Sequence, residues 1–424
     1  MKTKAILMFV ILSLITSISI IANENQEVIY RVPEYVVNNI QDIETLSETK
    51  PGFLRERGDY QRFKELSGNG KGIKVGIVDT GLDRIHSQEG GELPLGDAVK
   101  EVKDFTNSRT RPLRGYKKPW EDRVGHGTHV AGHIGARANG KGIEGIASEC
   151  DLYIAKGLGD NGAGSSLQIS RAIDWLVSKE VDIINLSIGG SFSQDIENSV
   201  VAARKKGVLV FAAMGNEGTQ GASHPGTSNS SFGVTAVDYD LKVANFSSRS
   251  RLAFFSGYGV NITSLTNGGR YATFSGTSMA TPDQAGLAAL VLGYARKNNI
   301  KIENMDDYSR FVGRSVLDLG EPGRDREYGY GFIVLDMLFE DKVQEEIVEE
   351  ELPLIPVPEE ETPEEEETPE EEAPEEETPE EEPENPSSEQ PPTPENPATP
   401  YPNTKIVAEI KMNNKKYILL EVLD

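Results

Sequence analysis

Five short runs of β-branched and small apolar residues, at 73–79, 152–157, 182–188, 208–213 and 233–237, alternate with stretches of helical spacing near 128–137, 166–179, 193–205 and 278–297. No other feature of the sequence constrains the fold as tightly. Within 166–179, Leu167, Ile169, Ala172, Ile173, Leu176 and Val177 recur at helical spacing. Ile73-Lys74-Val75-Gly76-Ile77-Val78 is a near-continuous apolar run ending in Asp79 and Gly81, which reads as a buried strand stopping at a turn. Strands alternating with helices in this way lie mainly parallel and connect by right-handed crossovers. The expected fold class is α/β, a mainly parallel central sheet with helices on both faces. Open sheets of this kind place their sites at the carboxyl ends of the strands.

Three polar segments stand at such positions. Asp79 ends the first strand. Gly125-His126-Gly127-Thr128-His129-Val130-Ala131-Gly132-His133 holds three of the five histidines, with His126 just ahead of the predicted helix. Phe274-Ser275-Gly276-Thr277-Ser278-Met279-Ala280-Thr281-Pro282 puts Ser278 at a small-residue turn that runs into the long apolar helix. Taken singly, each has a plainer reading: an Asx-turn at Asp79, packing histidines, a helix N-cap at Ser278. His129 and His133 are spaced i, i+4, yet no Glu follows a His in the zinc-protease manner and no Cys is near, so metal ligands stay unassigned.

Together, and in this order, the three segments resemble the subtilisin-like serine proteases (subtilases, peptidase S8) over about Gly70 to Met337. The resemblance implies a serine-type endopeptidase with Ser278 as nucleophile, His126 as general base and then acid, and Asp79 as the group that orients His126. The chemistry needs these types. A serine hydroxyl is a weak nucleophile until an imidazole takes its proton, and a carboxylate on the other ring nitrogen stabilises the imidazolium that forms. Asn216, in Met214-Gly215-Asn216-Glu217-Gly218 after a buried strand, corresponds to the side chain that donates to the oxyanion in the family, with the Ser278 backbone N–H as second donor. Asn185-Leu186-Ser187-Ile188-Gly189-Gly190 resembles the strand lining the primary specificity pocket, and Gly162-Ala163-Gly164 the second strand clamping an extended substrate. The substrate-binding residues expected from this likeness are Ser187, Ile188, Gly189, Gly162, Ala163 and Gly164. Ser223-His224-Pro225 is expected to help shape the primary pocket.

No cofactor is required by such a mechanism. A structural calcium site is left open by the Arg137–Gly142 loop, with Asn139, although no carboxylate partner is identified after Asp83. Polypeptides are the implied substrates. The competing reading, a protease-like surface binding protein with little activity, would be favoured by a missing triad member, and none is missing.

The ends have a different composition. Lys2 and Lys4 precede an apolar run from Ala5 to Ala22, which reads as a signal peptide (1–22) cleaved after Ala22 or Ser19, with an uncleaved anchor as the alternative. Residues 23–69 are a short pro-segment or N-terminal arm, fewer residues than the usual subtilase prodomain needs. The catalytic domain spans 70–344. Of the 68 acidic residues, 24 are glutamates in 345–404, which contains no Lys or Arg, leaving 44 acids against 43 bases elsewhere. The net charge of −25 therefore belongs to a Glu/Pro-rich disordered spacer, and no basic patch points to nucleic acid. Residues 405–424 read as a β-hairpin around Asn413-Asn414. A secreted or cell-surface protein is expected, with cell-envelope association through the spacer and hairpin left open. The single cysteine, Cys150, excludes an intramolecular disulfide and reads as a packed thiol.

Overall fold

Chain order and sheet order part company at the strand that ends in Asp79. The computed structural model describes residues 28–32, 36–42, 58–87, 94–106, 118, 120–140, 142–335, 404–412 and 415–422. The leader at 1–22 and almost all of the acidic spacer lie outside them. The chain divides into two units, residues 1–362 and 363–424.

The first unit begins with β1 (Ile29–Arg31), β2 (Val36–Asp42), α1 (Gly58–Ser67), β3 (Lys74–Asp79) and β4 (Val99–Asp104). It continues through α2 (His126–Gly135), β5 (Asp151–Lys156), β6 (Ala163–Ser165), α3 (Ser166–Ser178), β7 (Ile183–Leu186), α4 (Gln194–Lys205), β8 (Leu209–Ala213) and β9 (Phe232–Val237). Then come β10 (Ala253–Tyr258), β11 (Ile262–Thr266), β12 (Arg270–Ser275), α5 (Thr277–Lys297), α6 (Met305–Val312), β13 (Val316–Leu317) and β14 (Phe332–Ile333). In the second unit, β15 (Thr404–Met412) pairs antiparallel with β16 (Lys415–Val422).

Nine strands form the central sheet in the order β13-β14-β10-β9-β8-β7-β3-β5-β4. All neighbours are parallel except β13 and β14. The chain builds β4 and β5 on one side of β3, then crosses to build β7 through β10 on the other. That reversal makes the carboxyl end of β3 a topological switch point, where open sheets leave a crevice.

The buried runs alternate between two cores, as period-2 side chains must. Val75, Ile77, Ile183 and Phe211 pack with Phe63 of α1, Val130 and Ile134 of α2, Leu287 and Leu290 of α5 and Tyr308 of α6. Val78, Ile184, Val210 and Ala212 pack with Ile169, Ile173 and Leu176 of α3 and Ile196 and Val200 of α4. Helices thus cover both faces. Helix α3 starts with a capping box: Gln168 N–H donates to Ser165 Oγ, and Ser165 N–H donates to Gln168 Oε1. Of the 21 residues of α5, 18 are buried, so it is a core helix apolar on nearly all sides. On it, Asp283 Oδ2 accepts from Tyr258 N–H and Gln284 Nε2 donates to the Ser256 carbonyl, tying α5 to β10.

The antiparallel pair β11–β12, extended by β2, packs on α2. Every residue of α2 is buried. His129 is part of this packing: its Nε2–H reaches the carbonyls of Ile262 (3.0 Å) and Ala272 (3.2 Å), and its ring stacks on Phe274 at 4.3 Å. Burial first, then the charge of His126, depress its pKa to about 3. Cys150 is likewise a core thiol, pushed up to about 12 by burial.

The His129 shift has a consequence for acid stability. Below about pH 6.5 the unfolded chain protonates this imidazole while the folded state keeps it neutral down to about pH 3. Stability is therefore retained above pH 6.5 and lost as pH falls through the window between, at a limiting slope of about 1.4 kcal/mol per pH unit. Burial lowers the pKa of His86 as well, in the same sense. Urea unfolding at pH 7 and pH 5 should show this loss, and His129→Gln, which still offers an N–H to the strands, should show a smaller one.

Candidate active site

At the end of β3, Oδ1 and Oδ2 of Asp79 lie 2.9 and 3.0 Å from His126 Nδ1, and both side chains are fully buried. A carboxylate only accepts, so Nδ1 carries the hydrogen and Nε2 the lone pair. The sequence places His126 just ahead of a helix; the structure makes it the first residue of α2. The N-cap is Gly125, at φ 94°, where a Cβ would come within 2.3 Å of Thr266 Oγ1. Only glycine meets both conditions without strain.

Glycine brings no side chain to cap the helix, and Asp122 supplies what it lacks. This buried carboxylate accepts from Thr80 Oγ1 (2.9 Å), Val124 N–H (3.0 Å), Gly125 N–H (2.8 Å), Thr128 N–H (2.9 Å) and Thr128 Oγ1 (2.7 Å). Thr128 N–H is one of the first-turn donors that α2 cannot satisfy internally. Thr80 Oγ1 in turn accepts from Gly127 N–H at 2.9 Å, and Thr80 N–H donates to Asp79 Oδ1 at 2.7 Å. One network therefore fixes both the Asp79 carboxylate and the turn carrying His126. Asp122 was not singled out from the sequence, because it lies six residues before the Thr128 N–H it accepts from, outside the spacing of an ordinary N-cap.

Ser278 is the second residue of α5, which packs on α2. Its hydroxyl donates to the Ser187 carbonyl at 3.2 Å, and Ser187 Oγ donates to the Ser278 carbonyl at 2.9 Å. Pro282 explains this exchange. The helix N–H that would pair with the Ser278 carbonyl belongs to residue 282, and proline has none. The Ser187 hydroxyl fills that position and ties the strand end after β7 to the start of α5. Asn216, half-buried just beyond β8, accepts at Oδ1 from Thr277 N–H and Thr277 Oγ1, both at 2.9 Å. These bonds assign the amide: oxygen towards Thr277, nitrogen away from it.

The expected substrate strands are brought together by the chain's own N-terminal segment. Strand β1 pairs antiparallel with β6, Ile29 opposite Ser165, Tyr30 opposite Gly164 and Arg31 opposite Ala163. On its other side, Arg31 N–H donates to the Gly189 carbonyl (3.0 Å) and Gly189 N–H to the Arg31 carbonyl (2.9 Å). Val32 N–H donates to the Gly162 carbonyl at 3.1 Å. Strand β2 then pairs with β12, Val36 opposite Ser275, three residues before Ser278. Residues 28–32 thus lie between Gly162–Gly164 and Gly189, as an added central strand. Ile188 is buried in the core cluster that includes Tyr30. His224 is bonded to the Tyr30 side chain.

Asp83, and Arg137 at the loop left open for calcium, are both held by other partners. Both carboxylate oxygens of Asp83 accept backbone N–H groups, from Ile85 (3.0 Å) and Gly269 (2.8 Å). Arg137, at the head of the loop, brings a guanidinium bonded to Asp97 and to the carbonyls of Ser148 and Cys150. Among the described residues, no group of three His, Cys, Asp or Glu converges as metal ligands.

A parallel sheet with a carboxylate–imidazole pair at its switch point, and a serine at the head of a buried helix beside it, defines a subtilisin-like serine hydrolase. The subtilase (peptidase S8) family model matches residues 70–331, and the chain belongs to that family of serine-type endopeptidases. It is 36% identical over 266 residues to the minor extracellular protease Epr of Bacillus subtilis, covering 62% of this chain but 38% of that protein. It is 38% identical over 294 residues to a thermostable alkaline protease of Halalkalibacterium halodurans, covering 68% of this chain and 73% of that protein. An intracellular serine protease of Paenibacillus polymyxa is 37% identical over 254 residues, covering 58% and 75% respectively.

Asp122→Ala should cost about 3 kcal/mol of stability, because several buried donors lose their acceptor at once. Urea unfolding measures the loss. Turnover per folded molecule should fall as well, since the turn carrying His126 is released.

Proposed function

We propose that the chain is an exported serine endopeptidase that cleaves polypeptides through Asp79, His126 and Ser278. The observation that carries this reading is the buried Asp79–His126 pair, which leaves His126 Nε2 as the proton acceptor. In the resting arrangement the Ser278 hydroxyl donates to the Ser187 carbonyl. Attack requires it to turn to His126, which takes the proton as the Ser278 oxygen adds to the scissile carbonyl. The imidazolium is then stabilised by Asp79 and returns the proton to the leaving amine. The Asn216 amide nitrogen and the Ser278 N–H, at the positive end of α5, are the donors for the oxyanion. Water repeats the sequence on the acyl-enzyme.

Substrates would enter as an extended strand between Gly162–Gly164 and Ser187–Gly189, bonding through main chain and therefore with little dependence on sequence. The N-terminal arm already takes those bonds, so the arm acts as a built-in inhibitory pro-segment that must leave before a substrate binds. The apolar run behind Lys2 and Lys4 supports export, and the glutamate-rich spacer with its terminal hairpin supports attachment at the cell envelope. Among the described residues no helix is long and apolar enough to cross a membrane. Protein recovered from culture fluid should begin after Ser19 or Ala22 by intact mass.

A fluorophosphonate probe should label Ser278, and Ser278→Ala should remove both labelling and peptide hydrolysis. Folded protein with the arm displaced that never takes the label would contradict the assignment. Asn216→Ala should lower kcat on the order of 100- to 1000-fold with little change in KM, the magnitude known for the corresponding amide of subtilisin itself. Arg31→Pro combined with Tyr30→Ala removes one main-chain donor and the buried ring from the arm. Turnover of a short chromogenic peptide should then rise on the order of 10-fold or more. An unchanged or lower rate would make the arm a structural strand only.

A further inference from the structure

Within residues 28–32, Tyr30 is the one side chain that is completely buried, and its surroundings are polar at one point. Its hydroxyl oxygen lies 2.7 Å from the Ser191 carbonyl and 2.7 Å from His224 Nδ1. His224 Nε2 is 2.9 Å from Glu197 Oε2, while Glu197 Oε1 accepts from Ser228 Oγ at 2.9 Å. His224 is buried, and its ring meets Phe192 edge-on at 5.1 Å. Its backbone exchanges two hydrogen bonds with Gly190, next to the Gly189 that binds the arm. A Cβ on Gly190 would come within 3.2 Å of the Tyr30 ring, so this glycine keeps the pocket open.

The proton positions follow from the partners. The Ser191 carbonyl can only accept, so the single phenol hydrogen goes to it and the Tyr30 oxygen accepts from His224 Nδ1–H. Glu197 can only accept as well, so His224 Nε2–H donates to it. Burial opposes the charge on Glu197, but the bonds from His224 and Ser228 outweigh it and hold the carboxyl below its ordinary range. One acceptor, the Ser191 carbonyl, and one donor, His224 Nδ1–H, therefore point at one spot at the end of an aromatic slot. A phenol, which donates once and accepts once, satisfies both. A phenylalanine fills the same slot and leaves both groups dry and unbonded.

We propose that this pocket is a tyrosine-selective substrate subsite, read by His224 with Glu197 as the positioning residue, and that Tyr30 occupies it as a substrate tyrosine would. The proposal rests on the protease reading, because it takes β1 as a stand-in for the extended substrate. Backbone pairing supplies affinity without sequence preference, and this pocket supplies the preference. A site built to bond a hydroxyl rejects the analogue lacking it more strongly than an apolar pocket rejects one with a methylene more or less.

The test uses the full chain and peptide pairs that differ only in Tyr or Phe at each position before the scissile bond. At one position kcat/KM should favour Tyr on the order of 10-fold or more, the cost of leaving buried polar groups unpaired. His224→Phe, which removes one of the two partners of the hydroxyl, should bring the Tyr/Phe ratio of kcat/KM down towards 1. Glu197→Gln, which removes the carboxylate that holds the His224 ring, should lower the same ratio. A second measurement needs no turnover. Hydrogen–deuterium exchange at the Ser166 and Gly189 amides, which donate to Val28 and Arg31 of the arm, should speed up on the order of 10-fold in Tyr30→Phe. Added to His224→Phe, Tyr30→Phe should have a smaller effect than alone, because only the Ser191 bond then remains to be lost. Equal Tyr and Phe rates at every position, or exchange indifferent to the Tyr30 hydroxyl, would overturn the proposal. Ser278 labelling by the fluorophosphonate in that case would leave the protease reading intact; hydroxyl-dependent exchange with no labelling would have the opposite meaning.

Discussion

The fold of this chain turns on a helix that has no wet side. Helix α5 is buried along nearly its whole length, against α1, α2 and strands β7 to β10. A helix in that position cannot shift without repacking the larger of the two cores. Its first turn is consequently a rigid platform, and Ser278 stands on it. Pro282 interrupts the backbone ladder at one point, and that interruption lets Ser187 bond the Ser278 carbonyl. The defect in one element is repaired by the next, and the repair links the end of β7 to the start of α5. On the opposite wall, Asp122 does the corresponding job for α2, satisfying donors that a glycine N-cap leaves open. Two helix starts and one strand end are thereby held in register by buried polar bonds, which the low dielectric of a dry site strengthens.

The N-terminal arm uses the same surface by a different principle. Strand addition through Arg31, Val32 and the Gly162 and Gly189 carbonyls makes no demand on side-chain identity. Tyr30 is the exception, because its hydroxyl meets the Ser191 carbonyl and the His224 ring in a buried pocket. General main-chain capture and one selective side-chain contact coexist within a single three-residue strand. That division is what an endopeptidase acting on many proteins with a local preference would use. It also lets a short segment occupy the cleft where a larger prodomain would otherwise be expected.

Much of this was legible in the sequence, unevenly. Strands β3, β5, β7, β8 and β9 and the helices α2 to α5 emerge within a residue or two of their predicted limits, because buried runs and helical spacing are local properties of the chain. Asp79, His126, Ser278 and Asn216 were picked out because their segments, taken together and in chain order, resemble the subtilases, each having a plainer local reading by itself. Strands β2, β4, β10, β11 and β12 are among those missed: β4 is half-exposed and charged, and β2 joins β12 from far away in the chain. Asp122 was missed because its importance lies in how many donors converge on it. His224 was expected to help shape the primary pocket, and its bond to Tyr30 is a pairing across 194 positions that no spacing reveals.

The sequence by itself determined the periodicities, and with them an α/β sheet buried on both faces and the set of residue types able to carry acyl transfer. Only the tertiary structure decided the switch point beside β3, the tautomer of His126, the bond exchange between Ser187 and Ser278, and the return of residues 28–32 into the cleft. The physical reason is range. Propensity and burial patterns act over a few residues, whereas a hydrogen-bond network or an added strand exists only once distant segments have packed.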